Sequence, residues 1–231
     1  QVLAITGEQG SGKTTLLMSL IRYISPAYNI RVQELSFELN LRKIYPNRNI
    51  VSFKETDSVS GKEGLDFTKK TDGNVTILGE VASADVASLM ISMSQVASLF
   101  TLFTHHAKTT KDLIYSMRNA LLTEGGFHNE TAATRQVVDA IQFDIHMSKH
   151  IDGHRYIERI SQIISNHSTV IRNEYGGHNK GELEHTLFEV RDLVVYEQGR
   201  YRYQNELSDD VIQEIRKHLS KQEEELFYKN I

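Results

Sequence analysis

A glycine-rich run near the start of the chain constrains the fold more than any other feature of the sequence. The run GEQGSGKT, residues 7–14, follows the apolar stretch Val2 to Ile5 and precedes an apolar, helix-forming segment from Thr15 to Ile24. A glycine turn between a buried strand and a helix N-terminus points successive backbone N–H groups at an anion, which the helix dipole also favours. This is the phosphate-loop pattern, and it predicts an α/β fold that binds a nucleoside triphosphate.

The residues of this loop have distinct expected roles. The glycines supply unusual backbone angles, Lys13 reaches the outer phosphates, and the Thr14 hydroxyl ligates a magnesium ion that the phosphates also hold. A chance glycine loop is the alternative, and the flanking strand and helix weigh against it. The expected ligands are therefore a nucleoside triphosphate and Mg²⁺. The predicted nucleotide-binding residues are Gly7, Glu8, Gln9, Gly10, Ser11, Gly12, Lys13, Thr14 and Thr15.

Composition limits the class of protein further. A chain of 231 residues can form one large domain, or a medium domain with an appendage. The net charge of −4 provides no global positive field for nucleic acid, and the absence of cysteine removes disulfides and thiolate zinc sites. The sequence contains neither a signal peptide nor an apolar run approaching the roughly 20 residues of a membrane span. We expect a cytoplasmic protein whose contact with a membrane is peripheral.

Apolar runs alternate with helical patterns from the phosphate loop to about residue 140. Between Asp57 and Gly73 the composition turns to Ser, Gly, Lys and Asp, which predicts a loop with at most one helical turn. The alternation predicts a mostly parallel sheet with helices on both faces. The predicted strands span residues 30–39, 49–53, 74–81 and 99–103, and the predicted helices 83–96, 109–122 and 129–140.

The pattern changes in the last third of the chain. Asp152-Gly153 is a strong hairpin signal within 141–164, and a second turn at 197–200 joins two short strands. An amphipathic helix is predicted from Ser208 to Tyr228. We therefore predict two parts of one domain, a phosphate-loop core (1–140) and an extension of antiparallel hairpins and a C-terminal helix (141–231). Because the chain enters the phosphate-loop strand at once, we expect a preceding domain to be missing.

Polar residues at the ends of the predicted strands are candidates for chemistry, because ligands of such sheets bind at the carboxyl ends of the strands. Glu80 ends a hydrophobic strand, where a carboxylate holds magnesium or its water. Glu34 or Glu38 can orient and deprotonate the attacking water. His105 and His106 can hydrogen-bond a phosphate. The competing interpretation is that these are solvated acids and structural histidines.

Four segments in order resemble the motifs of the secretion ATPase superfamily. GEQGSGKTT, QELSFEL, VTILGEV and TLFTHHAKTTKDLIYSMR are similar to its Walker A, Asp box, Walker B and His box. That superfamily includes type II and type IV secretion ATPases and the motors of pilus assembly and retraction. The stretch TRQVVDAIQFDIHMSKHIDGHRYIERISQI is similar to the Flp/Tad pilus assembly branch. The resemblance spans about Val2 to Ile164 and implies the C-terminal RecA-like domain, without the family's N-terminal domain.

The resemblance assigns roles by position. Glu34 matches the general base of the Asp box, Glu80 the Walker B glutamate at magnesium, and His106 the His-box histidine. Arg135 falls where the family often has an arginine, and it receives no role. The implied activity is ATP hydrolysis coupled to transport or pilus assembly, in a homohexameric ring at the inner face of the cell membrane. The implied partner is an inner-membrane platform protein, with neither nucleic acid nor zinc involved.

Three departures from the family pattern leave alternatives open. Ala82 stands where Walker B usually continues with arginine, the Ser94–Val96 region replaces a Thr-Gly pair, and Gly73-Asn74 replaces Pro-Asp. A nucleotide-gated assembly subunit with little hydrolysis is therefore the first alternative. A different phosphate-loop enzyme, such as a kinase or a nucleic-acid motor, is the second. The sequence offers neither a compact arginine-bearing lid nor a basic aromatic groove for these.

Overall fold

A single sheet dominates the computed structural model of the chain, which describes residues 1–36, 38–95, 98–166, 187–221 and 223–225. Within these residues the strands are β1 (Val2–Gly7), β2 (Ile30–Glu34), β3 (Ile50–Lys54), β4 (Val75–Leu78), β5 (Phe100–His105), β6 (Ile141–Lys149), β7 (Arg155–Ser165), β8 (Phe188–Glu197) and β9 (Arg200–Tyr203). The helices are α1 (Lys13–Leu20), α2 (Leu41–Ile44), α3 (Gly61–Lys69), α4 (Ala84–Ser94), α5 (Thr110–Glu124), α6 (Glu130–Ala140) and α7 (Asp209–Arg216). A 3₁₀ turn, Ile21–Tyr23, continues α1.

The strand order is β3-β2-β4-β5-β1-β6-β7-β8-β9. The strands from β3 to β6 in this order are parallel, and the pairs from β6 to β9 are antiparallel. The predicted mixed α/β fold, a mostly parallel sheet followed by antiparallel hairpins and a C-terminal helix, is confirmed. The predicted boundary at residue 140 falls between α6 and β6, and the division into two parts stays a prediction.

Alternate residues of the parallel strands enter two separate cores. In β1, Val2 and Ala4 pack with buried residues of α4, α5 and α6, whereas Ile5 packs with Leu17 of α1. Both faces of the parallel sheet are therefore covered, as is usual for parallel strands. This arrangement leaves the carboxyl ends of β1, β2, β4 and β5 to carry the polar groups described below.

Three predicted elements were wrong in extent. A helix of nine residues, α3, occupies the segment predicted to be loop, and Ser60 and Glu63 form a reciprocal capping box at its start. The strand predicted at 30–39 ends at Glu34, because the carboxylate of Glu34 accepts two backbone N–H groups from the turn that follows. The C-terminal helix α7 ends at Arg216, and after a break the described residues 221 and 223–225 are helical again. Of its predicted continuation to Tyr228, residues 222 and 226–228 lie outside the described residues.

The remaining boundaries agree with the sequence to within a few residues. The Thr109 hydroxyl caps α5, and the Asn129 side chain caps α6. The Asp152-Gly153 turn joins β6 to β7, and Gly153 has a φ of +92°. The second turn, at Gln198-Gly199, has φ values of +51° and +80°, as a type I′ hairpin requires.

Candidate nucleotide site

The phosphate loop leaves β1 at Gly7 and enters α1 at Lys13. Gly7 has a φ of +137°, and a Cβ atom there would overlap the backbone oxygen of Met147 on β6. Gly12 adopts a left-handed conformation, with a φ of +98°, directly before the first turn of α1. These positions require glycine, because side chains rarely tolerate such backbone angles. The loop thus presents backbone N–H groups at a helix N-terminus, which is where phosphate binds.

Lys13 lies at the centre of the loop and is almost fully buried. Its Nζ donates to the carbonyl oxygens of Gly7 at 3.1 Å and Glu8 at 3.0 Å, and it lies 3.3 Å from Nδ1 of His106. Burial lowers the pKa of the Lys13 ammonium, an effect partly offset by the negative charge of Glu80. The ammonium is thus fixed inside the loop, where a phosphate chain would meet it.

His106 connects Lys13 to Glu80. Its Nε2 lies 3.1 Å from Oε1 of Glu80, while its Nδ1 faces the ammonium of Lys13. Because an ammonium has no lone pair to offer, Nδ1 acts as the acceptor, which assigns the proton of a neutral ring to Nε2. Three residues predicted from separate motifs are therefore joined by side-chain contacts.

The two adjacent histidines have different surroundings. His105 places Nδ1 2.7 Å from the carbonyl oxygen of Val81 and Nε2 3.0 Å from the Ser116 hydroxyl on α5. Burial lowers the pKa of His105, so the ring stays neutral and donates from Nδ1 to Val81. His105 therefore ties the end of β5 to α5, and His106 is the histidine that contacts the loop lysine.

Carboxylates from two strand ends share a cleft with the first residues of α1. Glu34 is the last residue of β2, Glu80 follows β4, and Thr14 is the second residue of α1. Hydroxyl and carboxylate oxygens suit Mg²⁺, which is bound in such sites by few protein ligands, together with phosphates and water. Among the described residues no cluster of three or more His, Asp or Glu side chains has a metal-binding arrangement of its own. The donor set of Thr14 and Glu80 therefore fits an ion that is held largely by the nucleotide. The cleft is lined by Thr14, Glu34, Leu35, Ser36, Glu38, Leu39, Gly79 and Glu80.

Glu34 is the buried member of the two candidate bases. Its side chain is 3% exposed, and Oε1 accepts the N–H groups of Glu38 at 3.0 Å and Leu39 at 2.8 Å. Burial raises the pKa of the Glu34 carboxyl, and the two hydrogen bonds limit that rise. A carboxylate with a raised pKa is a stronger base toward water. Glu38 is exposed and accepts a hydrogen bond from Ser36.

A buried polar network supports the loop from β6. Asp144 is fully buried and accepts hydrogen bonds from Thr6 and Thr110, each at 2.7 Å, so it links the residue before Gly7 to the first turn of α5. Burial raises the pKa of the Asp144 carboxyl, an effect that the two hydroxyl donors oppose. The Thr6 hydroxyl also contacts Nδ1 of His146 at 2.9 Å. Sequence reasoning missed this network, because nothing near Asp144 in the chain indicates its partners.

His146 gives the protein a pH-dependent stability. Burial, with the nearby positive charge of Arg159 second, lowers the pKa of His146 from 6.5 to about 4. At a pH between 6.5 and about 4, His146 binds a proton in the unfolded chain but not in the folded chain. The free energy of unfolding therefore falls as the pH falls through this window. We expect His146 to account for about 3 kcal/mol of loss between pH 7 and pH 4. Urea unfolding of the wild type and of His146→Gln, carried out at several pH values, measures this loss.

An exposed histidine supplies the control for this prediction. His128 lies in the loop between α5 and α6, so His128→Gln should keep the wild-type pH dependence. His146→Gln should reduce the pH dependence, because glutamine does not titrate, and what remains comes from other buried groups such as His105. An unchanged slope in His146→Gln would exclude His146 as the source.

The fold and the site together define a RecA-like phosphate-loop domain whose candidate nucleotide site lies at the carboxyl ends of a parallel sheet. A family model described as "Type II/IV secretion system protein" matches residues 1–219. The chain therefore belongs to the type II/IV secretion system protein family, which confirms the superfamily that the four motifs indicated. The Flp/Tad branch stays a prediction, as do the roles of the site residues.

Individual relatives match the chain, in sequence or in fold, over part of their length. The chain is 29% identical over 118 residues to the competence protein ComGA of Bacillus subtilis, a match covering 50% of this chain and 32% of ComGA. The VirB11 ATPase of the Brucella suis type IV secretion system, solved with sulphate, is 21% identical with a TM-score of 0.61. The ATPase DotB of Legionella pneumophila is 17% identical with a TM-score of 0.54.

The chain spans less than half the length of each of these relatives. The structural matches cover 69% of this chain and 47% of VirB11, and 67% of this chain and 42% of DotB. In the described part of the chain, none of the helices combines the length and the apolar character needed to cross a bilayer.

Proposed function

We propose that the chain is the ATP-hydrolysing motor domain of a bacterial secretion, conjugation or pilus assembly system. The observation that carries this proposal is the linked set of Lys13, His106 and Glu80, which joins three motifs around one phosphate loop. Binding of nucleotide requires only the loop. The buried Glu34 beside the same cleft supplies a base, which a protein that only binds nucleotide does not need.

Each residue of the site has a definite task in the proposed reaction. The loop N–H groups and Lys13 bind the β- and γ-phosphates. Thr14 and Glu80 would hold the Mg²⁺ ion that accompanies these phosphates. Magnesium, when bound, neutralises charge that develops on the phosphates. Glu34 accepts a proton from the attacking water. His106 donates to Glu80 from Nε2 and so holds that carboxylate in place.

Assembly and location follow from the family and are part of the proposal. We propose a homohexameric ring, with ATP and Mg²⁺ at each site, at the cytoplasmic face of the membrane and in contact with an inner-membrane platform protein. VirB11 and DotB are described as ATPases, and VirB11 as part of a type IV secretion system. A ring permits hydrolysis in one subunit to move its neighbours.

Glu80→Gln tests the proposed reaction. The full-length protein should release phosphate from ATP with Mg²⁺, and Glu80→Gln should lower that rate at least about 100-fold, because an amide replaces the carboxylate on the magnesium side. A malachite-green phosphate assay measures the rate, and calorimetry with ADP checks that the nucleotide still binds. Absence of phosphate release in the assembled wild type would refute hydrolysis.

A nucleotide-gated assembly subunit is the second candidate function. Ala82 favours it, because the residue is exposed beside Glu80 at the position where the family usually carries arginine. Tight binding of MgATP without turnover in the assembled ring would support this candidate. A rise in ATPase rate on adding DNA would instead indicate a nucleic-acid motor.

A further inference from the structure

Arg155 contacts the phosphate loop from a strand far away in the sequence. It begins β7, directly after the hairpin that follows β6. Its Nε donates to the carbonyl oxygen of Gly10 at 2.7 Å. Its Cδ packs against Gly12 and lies 3.1 Å from the position that a Cβ atom on Gly12 would occupy. The side chain therefore touches both glycines of the GSG segment.

The hydrogen bond to Gly10 determines which way the next peptide N–H points. The C=O of Gly10 and the N–H of Ser11 belong to one planar trans peptide, so they point in opposite directions. The Ser11 N–H donates to the carbonyl oxygen of Glu8 at 3.2 Å, and the same oxygen accepts from Lys13. Arg155 therefore lies outside the loop, and the Ser11 N–H points to the side that holds the Lys13 ammonium.

Arg155 acts together with Met147 on the neighbouring strand. Met147 pairs with Gly7 across β1 and β6, and its Cε lies 3.5 Å from the Cβ position of Gly12. Both strands of the hairpin thus contact the loop. Met147 of β6 contacts its start through the backbone, and Arg155 of β7 contacts its middle. Arginine also stays charged, which adds a positive charge beside the site for an anionic ligand.

We propose that Arg155 is a positioning residue for the phosphates of the nucleotide, acting in the same subunit as Lys13. It holds the Gly10 carbonyl outward, so that the Ser11 N–H, which donates to the Glu8 carbonyl oxygen in this structure, faces the Lys13 side of the loop, where a phosphate chain would bind. This inference rests on the proposed function in taking the ligand to be a nucleoside di- or triphosphate.

Two substitutions separate the hydrogen bond from the charge. Arg155→Met keeps an apolar stem against Gly12 and removes both the donor and the charge. Arg155→Lys keeps the charge but places a methylene where Nε stood. We expect both variants to weaken binding of MgADP about fivefold to tenfold, as measured by calorimetry on the full-length protein. Arg202→Met, an exposed arginine on β9, is the matched control and should bind as the wild type does.

Hydrogen exchange supplies a readout that general destabilisation does not produce. With saturating MgADP, the Ser11 amide should lose protection in both Arg155 variants, while amides of β4 keep theirs. Wild-type affinity in Arg155→Lys would overturn the proposal, since charge alone would then suffice. Loss of protection throughout the sheet would overturn it as well. A wild type that fails to bind MgADP refutes the proposed function itself, whereas a binding wild type with unaffected Arg155 variants refutes only this inference.

Discussion

Replacing Glu34 with glutamine should lower kcat for ATP hydrolysis by at least about 100-fold and leave the affinity for MgATP nearly unchanged. The amide oxygen of glutamine can still accept the N–H groups of Glu38 and Leu39, so the turn after β2 keeps its shape. Glutamine cannot take a proton from water at neutral pH. Single-turnover phosphate release, with MgATP binding measured in parallel, separates the chemical step from binding.

Glu38→Gln is the matched control for this prediction. Glu38 lines the same cleft and carries the same charge, but it is exposed, and its contact is with Ser36 on the surface. We expect its kcat to stay within about threefold of the wild type, because a solvated carboxylate is a weak base toward the attacking water. If Glu38→Gln caused the larger loss, the base would be Glu38, and the assignment of Glu34 would be wrong.

Gly7→Ala should destabilise the fold by roughly 3 to 5 kcal/mol. The methyl group would overlap the backbone oxygen of Met147, and that oxygen cannot swing aside as a side chain can, because it belongs to the strand paired with β1. The φ of +137° adds strain for any residue other than glycine. Urea unfolding followed by circular dichroism measures the loss.

Gly10→Ala separates the two causes of the stability loss expected in Gly7→Ala, the strained backbone angle and the overlap of the methyl group with Met147. Gly10 also has a positive φ, of +75°, but a Cβ atom there meets nothing within 4 Å. We expect a loss of about 1 to 2 kcal/mol, the cost of a left-handed conformation alone. Equal losses in the two variants would show that β6 moves away from Gly7 at little cost.

The sequence predicted those parts of the site whose determinants are local. The phosphate loop is contiguous, Glu34 ends a predicted strand with alternating apolar and polar residues, and Glu80 follows an apolar one. Because the carboxyl ends of parallel strands meet at one edge of the sheet, the sequence also predicted that they lie together. The choice between His105 and His106 rested on the resemblance, since both side chains follow the same strand. The structure distinguishes them by the packing of α5, which engages His105.

What the sequence did not reveal depends on contacts between distant segments. Arg155 meets Gly10 across 145 positions, and Asp144 meets Thr6 across 138, and no short motif encodes such pairs. The helix α3 is a different case, because its capping box, Ser60 to Glu63, is visible in the sequence. The glycine and lysine content of that segment instead predicted a loop.

The position of β1 between β5 and β6 has a consequence for synthesis of the protein. The phosphate-loop sequence is translated before the strands that flank β1, which begin at Phe100 and Ile141. At about 5 to 20 residues per second, a ribosome needs several seconds more to make them. Until β6 has left the exit tunnel, Gly7 lacks its neighbour Met147. A nascent chain therefore carries the whole Walker A motif well before β6 completes the surroundings of the phosphate loop.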